Sequence, residues 1–192
     1  MAFTLSDDEK IFLLKSARRS IKLFLQGKQV NSTNYYSENL QTKCGVFVTH
    51  HKNNDLRGCI GYVEGIKPMQ DAVMDLAISA AVNDPRFMPI TLEELPNIDI
   101  EISVLTPLTQ VFDPSEISIG SDGLLIKKGI YQGLLLPQVA AERKWNVETF
   151  LKQTCNKAGL SPDAWQEKDV EIYKFSAIIF NEKLFEQHIR KH

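Results

Sequence analysis

Between residues 98 and 104 the chain alternates without a break: Ile98, Ile100, Ile102 and Val104 are separated by Asp99, Glu101 and Ser103. Successive side chains of a strand point to opposite faces. The pattern therefore predicts a half-buried strand, with an apolar face on a core and a polar face turned away from it. Pro107 closes it. Any fold this chain adopts must give that strand an apolar layer and pairing partners.

Two helices supply the layer. Ser6 and Glu9 have the spacing of a capping box. Ile11, Leu14, Ala17, Arg18, Ile21 and Leu25 follow at mostly helical spacing, Phe12, Leu13 and Phe24 widen the stripe, and Gly27 is a stop. A helix is predicted over 7–26, packed on a sheet. Residues 28–43, rich in Asn, Ser, Thr and Tyr, read as a surface loop. Pro68 opens the second helix, with Met69, Val73, Leu76, Ala77, Ala80 and Ala81 on one face. It ends before Asp84-Pro85, because the residue ahead of a proline avoids the helical region.

The pairing partners come from hairpins. Residues 45–50 and 56–62 flank turn chemistry at Lys52-Asn53-Asn54-Asp55. A turn centred near residue 53 sets Phe47 opposite Cys59 and Thr49 opposite Arg57. Thr91 to Leu95 reads as a short helical turn, Val111-Phe112 as a short strand, and Asp113-Pro114-Ser115-Glu116 as a turn or helix start. A second hairpin covers 123–128 and 131–136. Pro137 opens a helix over 138–144, and Asn146 caps another that runs to Ala158. Ser161-Pro162-Asp163 starts a turn holding Trp165. Residues 170–180 read as one long final strand and 181–190 as a short helix with charged faces. Strands and helices mix without a βαβ rhythm, so the fold class is α+β, a largely antiparallel sheet flanked by helices.

Composition narrows the function classes. A length of 192 residues fits one domain, here 5–185, with room for a subdomain. The formal charge is −2 with both signs interspersed, so no basic stripe predicts nucleic-acid binding. No apolar run reaches the ~20 residues that span a bilayer, and no membrane association is expected. The opening MAFTLSDDEK has neither a basic nor an apolar leader region, and the three cysteines are scattered. Reduced thiols in a cytoplasm are the natural expectation. No CxxC or HExxH spacing is present, so neither a metal nor another cofactor is called for. Gly120-Ser121-Asp122-Gly123 precedes a strand and is a turn, not a phosphate loop. Oligomeric state is open.

The chemistry concentrates in Leu56-Arg57-Gly58-Cys59-Ile60-Gly61-Tyr62. On strand parity Leu56, Ile60 and Tyr62 share a core-facing side, while Arg57 and Cys59 share the other. Two glycines in a strand suggest a bulge or a close approach by a ligand or another backbone. A cation beside a thiol favours the thiolate. Cys59 is thus a candidate catalytic nucleophile, or a small buried hydrophobe. Arg57 is a candidate anion clamp, or one half of an ordinary ion pair. Arg86, in Asp84-Pro85-Arg86-Phe87, either converges with Arg57 on one anion or fixes its own loop while Phe87 plugs the core. Gly58, Gly61 and Gln138 complete the candidate ligand-binding set. His50, on the neighbouring strand, points away from Cys59, His51 lies in the turn, and His188 and His192 are remote in sequence. No base for the thiol stands out. Tyr35 and Tyr36, in the 28–43 loop, are placed to close over a ligand.

The hexapeptide Leu56 to Gly61, then Asp84-Pro85-Arg86-Phe87, Ile100-Glu101-Ile102-Ser103-Val104-Leu105 and Leu135-Leu136-Pro137-Gln138-Val139-Ala140 occur in that order. The chain resembles the AMMECR domain family, also called AmmeMemoRadiSam system protein A, over nearly its whole length. LRGCIG is the family signature and is matched at every position. The resemblance implies an α+β fold with a smaller second subdomain, and association with a Memo-type protein and a radical-SAM enzyme. It points to Arg57, Gly58 and Cys59 as the functional site, without a catalytic role for them. Many relatives carry histidine where this chain has Asp122, so a Cys–His pair built there is not available. Two roles follow: an accessory or ligand-binding component acting with those companions, or an enzyme using Cys59 on a small anionic or carbonyl substrate held by Arg57.

Overall fold

The computed structural model describes residues 4–31, 35 and 37–189. Helix α1, Asp7–Leu25, begins at its capping box: Ser6 N–H donates to Glu9 Oε2 at 2.7 Å, and Glu9 N–H donates to Ser6 Oγ at 3.3 Å. It ends through a left-handed Gly27 (φ +67°), after which Lys28 N–H reaches back to the Leu23 carbonyl.

The 28–43 segment is not all surface loop. It contains a short helix α2, Glu38–Gln41, with Leu40 wholly buried. Glu9 is one cause: beyond the capping box, its carboxylate also accepts from the Ser37 hydroxyl and the Asn39 amide. Tyr35 stacks on Phe12 of α1 with ring centroids 4.6 Å apart. This tyrosine is therefore tied to the core rather than poised over a ligand; Tyr36 lies outside the described residues.

Strands β1, Val46–Lys52, and β2, Asp55–Tyr62, form the first hairpin. Helix α3, Met69–Val82, follows, then β3, Ile98–Leu105, the alternating segment. With β8, Ala177–Asn181, these strands make a sheet in the order β2-β1-β3-β8. The apolar set Ile98, Ile100, Ile102 and Val104 is fully buried with Val46 and Val48, against Leu13, Leu14, Ala17 and Ile21 of α1 and Val73, Leu76 and Ala77 of α3. Each of the valines, leucines and isoleucines contributes about 1.5–3 kcal/mol when fully buried.

A second four-stranded sheet has the order β4-β7-β5-β6, from β4, Thr109–Gln110; β5, Gly123–Lys128; β6, Tyr131–Leu135; and β7, Glu171–Phe175. The short strand expected at Val111-Phe112 lies two residues earlier. Helices α4, Pro137–Glu142, and α5, Val147–Lys157, belong with this sheet, whose core holds Leu124, Ile126, Phe150, Leu151 and Cys155. The chain divides into two compact units: Leu105–Ala177, and the residues before and after that stretch.

The long strand expected over 170–180 is two strands in different sheets. Ser176 interrupts it: its N–H bonds to Thr106 Oγ1 and its carbonyl accepts from Thr106 N–H, both at 2.8 Å. Past β8, a single 3-10 turn, Glu182–Phe185, leads into α6, Glu186–Ile189. Among the described residues no helix is long and apolar enough to cross a membrane.

Candidate functional site

The site starts with the hairpin turn. Asn53 and Asn54 have φ of 53° and 70°, the left-handed pair that a two-residue connection requires. Lys52 pairs with Asp55 and His51 with Leu56; the register then slips, and His50 faces Gly58. Arg57 is the extra residue, so the strand bulges at the arginine of the hexapeptide. Beyond the bulge Thr49 faces Cys59 and Phe47 faces Gly61, two places on from the expected pairing. The bulge also removes Leu56 from the core-facing set. It is 41% exposed, whereas Ile60 and Tyr62 pack against the core.

A bulge re-aims its side chain, and Arg57 turns to Glu94 rather than to the thiol. Its Nε lies 2.9 Å from Glu94 Oε1 and its Nη2 3.1 Å from Oε2, and Lys52 Nζ adds a contact at 3.1 Å. Arg57 and Lys52 hold the Glu94 carboxyl below its ordinary pKa. The proposed anion clamp is thus filled by a carboxylate of the chain itself.

Cys59 lies on β2, an edge strand. Its N–H and C=O point off the edge, where an acid and a base from the 84–86 turn meet them. Cys59 N–H donates to Asp84 Oδ2 at 2.8 Å, and Arg86 Nη2 donates to the Cys59 carbonyl at 3.4 Å. Asp84 and Arg86 are themselves paired, Nη2–Oδ2 at 2.7 Å and Nε–Oδ1 at 2.9 Å. Arg86 and the two backbone N–H donors keep the Asp84 carboxyl far below its usual range. The pair stands where a neighbouring strand would, a protected edge. The loop-fixing reading of Arg86 is what the geometry displays. Phe87 does not plug the core; both guanidinium groups lie over its ring, Arg86 at 5.4 Å and Arg57 at 6.0 Å.

Because Cys59 directs its backbone outward, it forms a non-hydrogen-bonded pair with Thr49, the closer of the two antiparallel pair types. Thr49 Oγ1 donates to Cys59 Sγ at 3.2 Å. Thr49 also faces Glu101 on β3. Thiol, hydroxyl and carboxylate residues thus form a row across three strands. Beside it His51 faces Asp99, and a polar cavity of 210 Å³ is lined by His51, Asn54, Asp99, Glu101, Asn181 and Lys183. Sequence reasoning missed Thr49, Glu101, Asp84 and Glu94 as members of this region. The correct register alone would have exposed the first two.

The two glycines of the hexapeptide are used internally. A Cβ on Gly58 would lie 2.1 Å from the Ala80 carbonyl oxygen, and one on Gly61 2.2 Å from the Phe47 ring. Their close approach is to the protein's own α3 and β1, not to an open ligand face. Gln138 is in the first turn of α4, in the other unit; its Oε1 is buried without a hydrogen-bond partner among the described residues.

His50 points into the core, wholly buried, with neither ring nitrogen hydrogen-bonded among the described residues. Burial, then the positive charge of Arg18, holds its pKa down to about 3. The unfolded chain therefore takes up a proton near pH 6.5 that the folded one refuses. Stability contributed by neutral His50 is complete above pH 6.5 and declines as pH falls toward 3, by ~1.4 kcal/mol per unit. Urea midpoints measured between pH 7 and 4 should fall accordingly, and His50→Leu should flatten that slope. His192 and the side chain of His188 lie outside the described residues.

The three cysteines are free thiols. Burial pushes Cys44 up to about 11 and raises Cys155 as well. No group of three or more His, Cys, Asp or Glu side chains is placed to hold a metal ion among the described residues.

Comparison with known proteins places these features in a family. The AMMECR1 family profile matches residues 14–180. Protein PH0010 of Pyrococcus horikoshii is 45% identical over 194 residues, covering 95% of this chain and 94% of that one. A protein of Methanothermobacter thermautotrophicus is 47% identical over 185 residues, covering 93% and 96%. The crystal structure of the uncharacterised PH0010 superposes with a TM-score of 0.86 over 93% of this chain and 94% of that chain.

Proposed function

We propose that this chain, which belongs to the AMMECR1 family, is a cytoplasmic accessory or ligand-binding module that acts with a Memo-type protein and a radical-SAM enzyme. The face that binds is the Cys59–Thr49–Glu101 row together with Arg86. The observation that carries this reading is the thiol's company: among the described residues, Cys59 Sγ is bonded to the Thr49 hydroxyl and to no imidazole or carboxylate. A nucleophilic thiol is usually activated by a neighbouring base, and His50, one strand away, faces the core. Both guanidinium groups already hold a carboxylate of the chain, but Arg86, its side chain 55% exposed against 17% for Arg57, is the one with room for a small anionic ligand.

A second reading keeps Cys59 as a nucleophile on a small anionic or carbonyl substrate. It rests on the thiol being only half-buried, whereas Cys155 is wholly buried. Alkylation of each cysteine against pH, read by mass spectrometry with Cys44 and Cys155 as internal controls, separates the two. The module reading expects Cys59→Ser to retain capture of purified Memo-type and radical-SAM proteins, and Arg86→Ala to weaken it. It is lost if Cys59 alkylates rapidly with an apparent pKa well below the free-thiol value of ~8.5, or if the serine variant loses capture.

A further inference from the structure

A different cavity lies between the C-terminal half of α1, the 92–96 turn and α6. Its volume is 470 Å³, within the ~300–1,000 Å³ common for small-molecule sites. Leu92, Leu95, Pro96 and Ile189 make the wall apolar, while Lys22 and Gln26 provide its polar groups. Leu92 is 42% exposed, an apolar side chain that a ligand would cover.

Charge decides what kind of ligand fits. Arg18 reaches the cavity, but four of its five N–H donors are taken: Nη1 donates to the Leu95 carbonyl at 3.0 Å, Nη2 to that of Ile98, and Nε and Nη2 to Glu182. Glu182 neutralises it. Glu94, in the same turn, is engaged by Arg57 and Lys52. That leaves Lys22, which makes no ion pair among the described residues and stands four positions before Gln26 on the same helix face. Among the described residues, one unpaired ammonium, one amide and an apolar wall do not suit a phosphate, which calls for several donors. They suit a single negative head on an apolar body.

We propose that this cavity binds an amphipathic monoanion, a medium-chain carboxylate. The tail lies against Leu92, Leu95, Pro96 and Ile189, and the carboxylate meets Lys22 and the Gln26 amide. The site is separate from the Cys59 face, and its test does not depend on the role of that face.

Calorimetric titration of the full chain with octanoate, octanol and octylammonium tests it. Octanoate should bind saturably at one site. Octanol and the Lys22→Glu variant should each be weaker by about tenfold or more, the effect of losing one charge-assisted hydrogen bond. Octylammonium should not bind. Leu92→Asp should remove octanoate binding, and circular dichroism would establish that both variants are folded. Absence of saturable octanoate binding, equal affinity for octanol, or unchanged affinity in a folded Lys22→Glu variant would each overturn the assignment.

Discussion

Replacing Arg18 with methionine will cost about 3–5 kcal/mol of stability, because it strands a buried carboxylate. Glu182 is 0% exposed. Its two oxygens take Arg18 Nε and Nη2, each at 2.5 Å, and Oε2 also accepts Ile100 N–H at 3.0 Å. Without the guanidinium, the carboxylate keeps one backbone donor, Ile100 N–H. The carbonyls of Leu95 and Ile98 lose their donor as well. Urea unfolding at neutral pH checks the figure, read as a shift in midpoint at constant slope. The double variant Arg18→Met with Glu182→Leu should recover much of the loss, since buried ion pairs are often replaceable by apolar pairs of similar size. It will not recover all of it, because Ile100 N–H then has no acceptor, a penalty of about 1–3 kcal/mol. If Arg18→Met alone cost under ~1 kcal/mol, Glu182 would have found water, and the ion pair would not be the clamp described.

The same cluster explains why much of the site was not legible in the sequence. The strand at 98–104, the cap at Ser6 and the helix after Pro68 are local patterns, and each formed where its residues predicted. Arg18 read only as part of a helical stripe, and Glu182 as one charge on a charged helix. Their partnership joins positions 164 residues apart, and nothing local marks it. The final strand failed for a similar reason: its apolar pattern runs on through Ser176, but a partner 70 residues away takes that backbone out of the ladder. At the hairpin the turn residues were right and the register was not. The turn is centred between Asn53 and Asn54, one place on, and the bulge at Arg57 adds a second place that no periodicity reveals; together they decide that the thiol meets Thr49, while the bulged arginine meets Glu94. The order of the motifs identified the family, but only pairing distances separate a nucleophile from a held thiol.

The hexapeptide's glycines make the last case, and the effect should be large. Gly58→Ala is expected to cost about 3 kcal/mol, the upper end of ordinary overpacking. The added Cβ would lie 2.1 Å from the carbonyl oxygen of Ala80 and 3.2 Å from its carbon. That atom belongs to the backbone of α3, which is fixed by core packing of Val73, Leu76 and Ala77, so no side-chain rotation can relieve the clash. Either β2 moves off its helix, or α3 shifts. Gly61→Ala offers the internal contrast. Its Cβ would meet the Phe47 ring, a half-buried side chain that can swing, so the cost should be nearer 1 kcal/mol. Paired urea titrations of the two variants give the comparison. A Gly58→Ala variant as stable as the parent would mean that α3 and β2 have slack. Close ligand approach would then return as the reason for glycine at that position. The expected ranking, Gly58 well above Gly61, would instead make the first glycine of LRGCIG a packing requirement that fixes β2 on its helix. The bulge at Arg57 and the pairing of Cys59 with Thr49 depend on that placement.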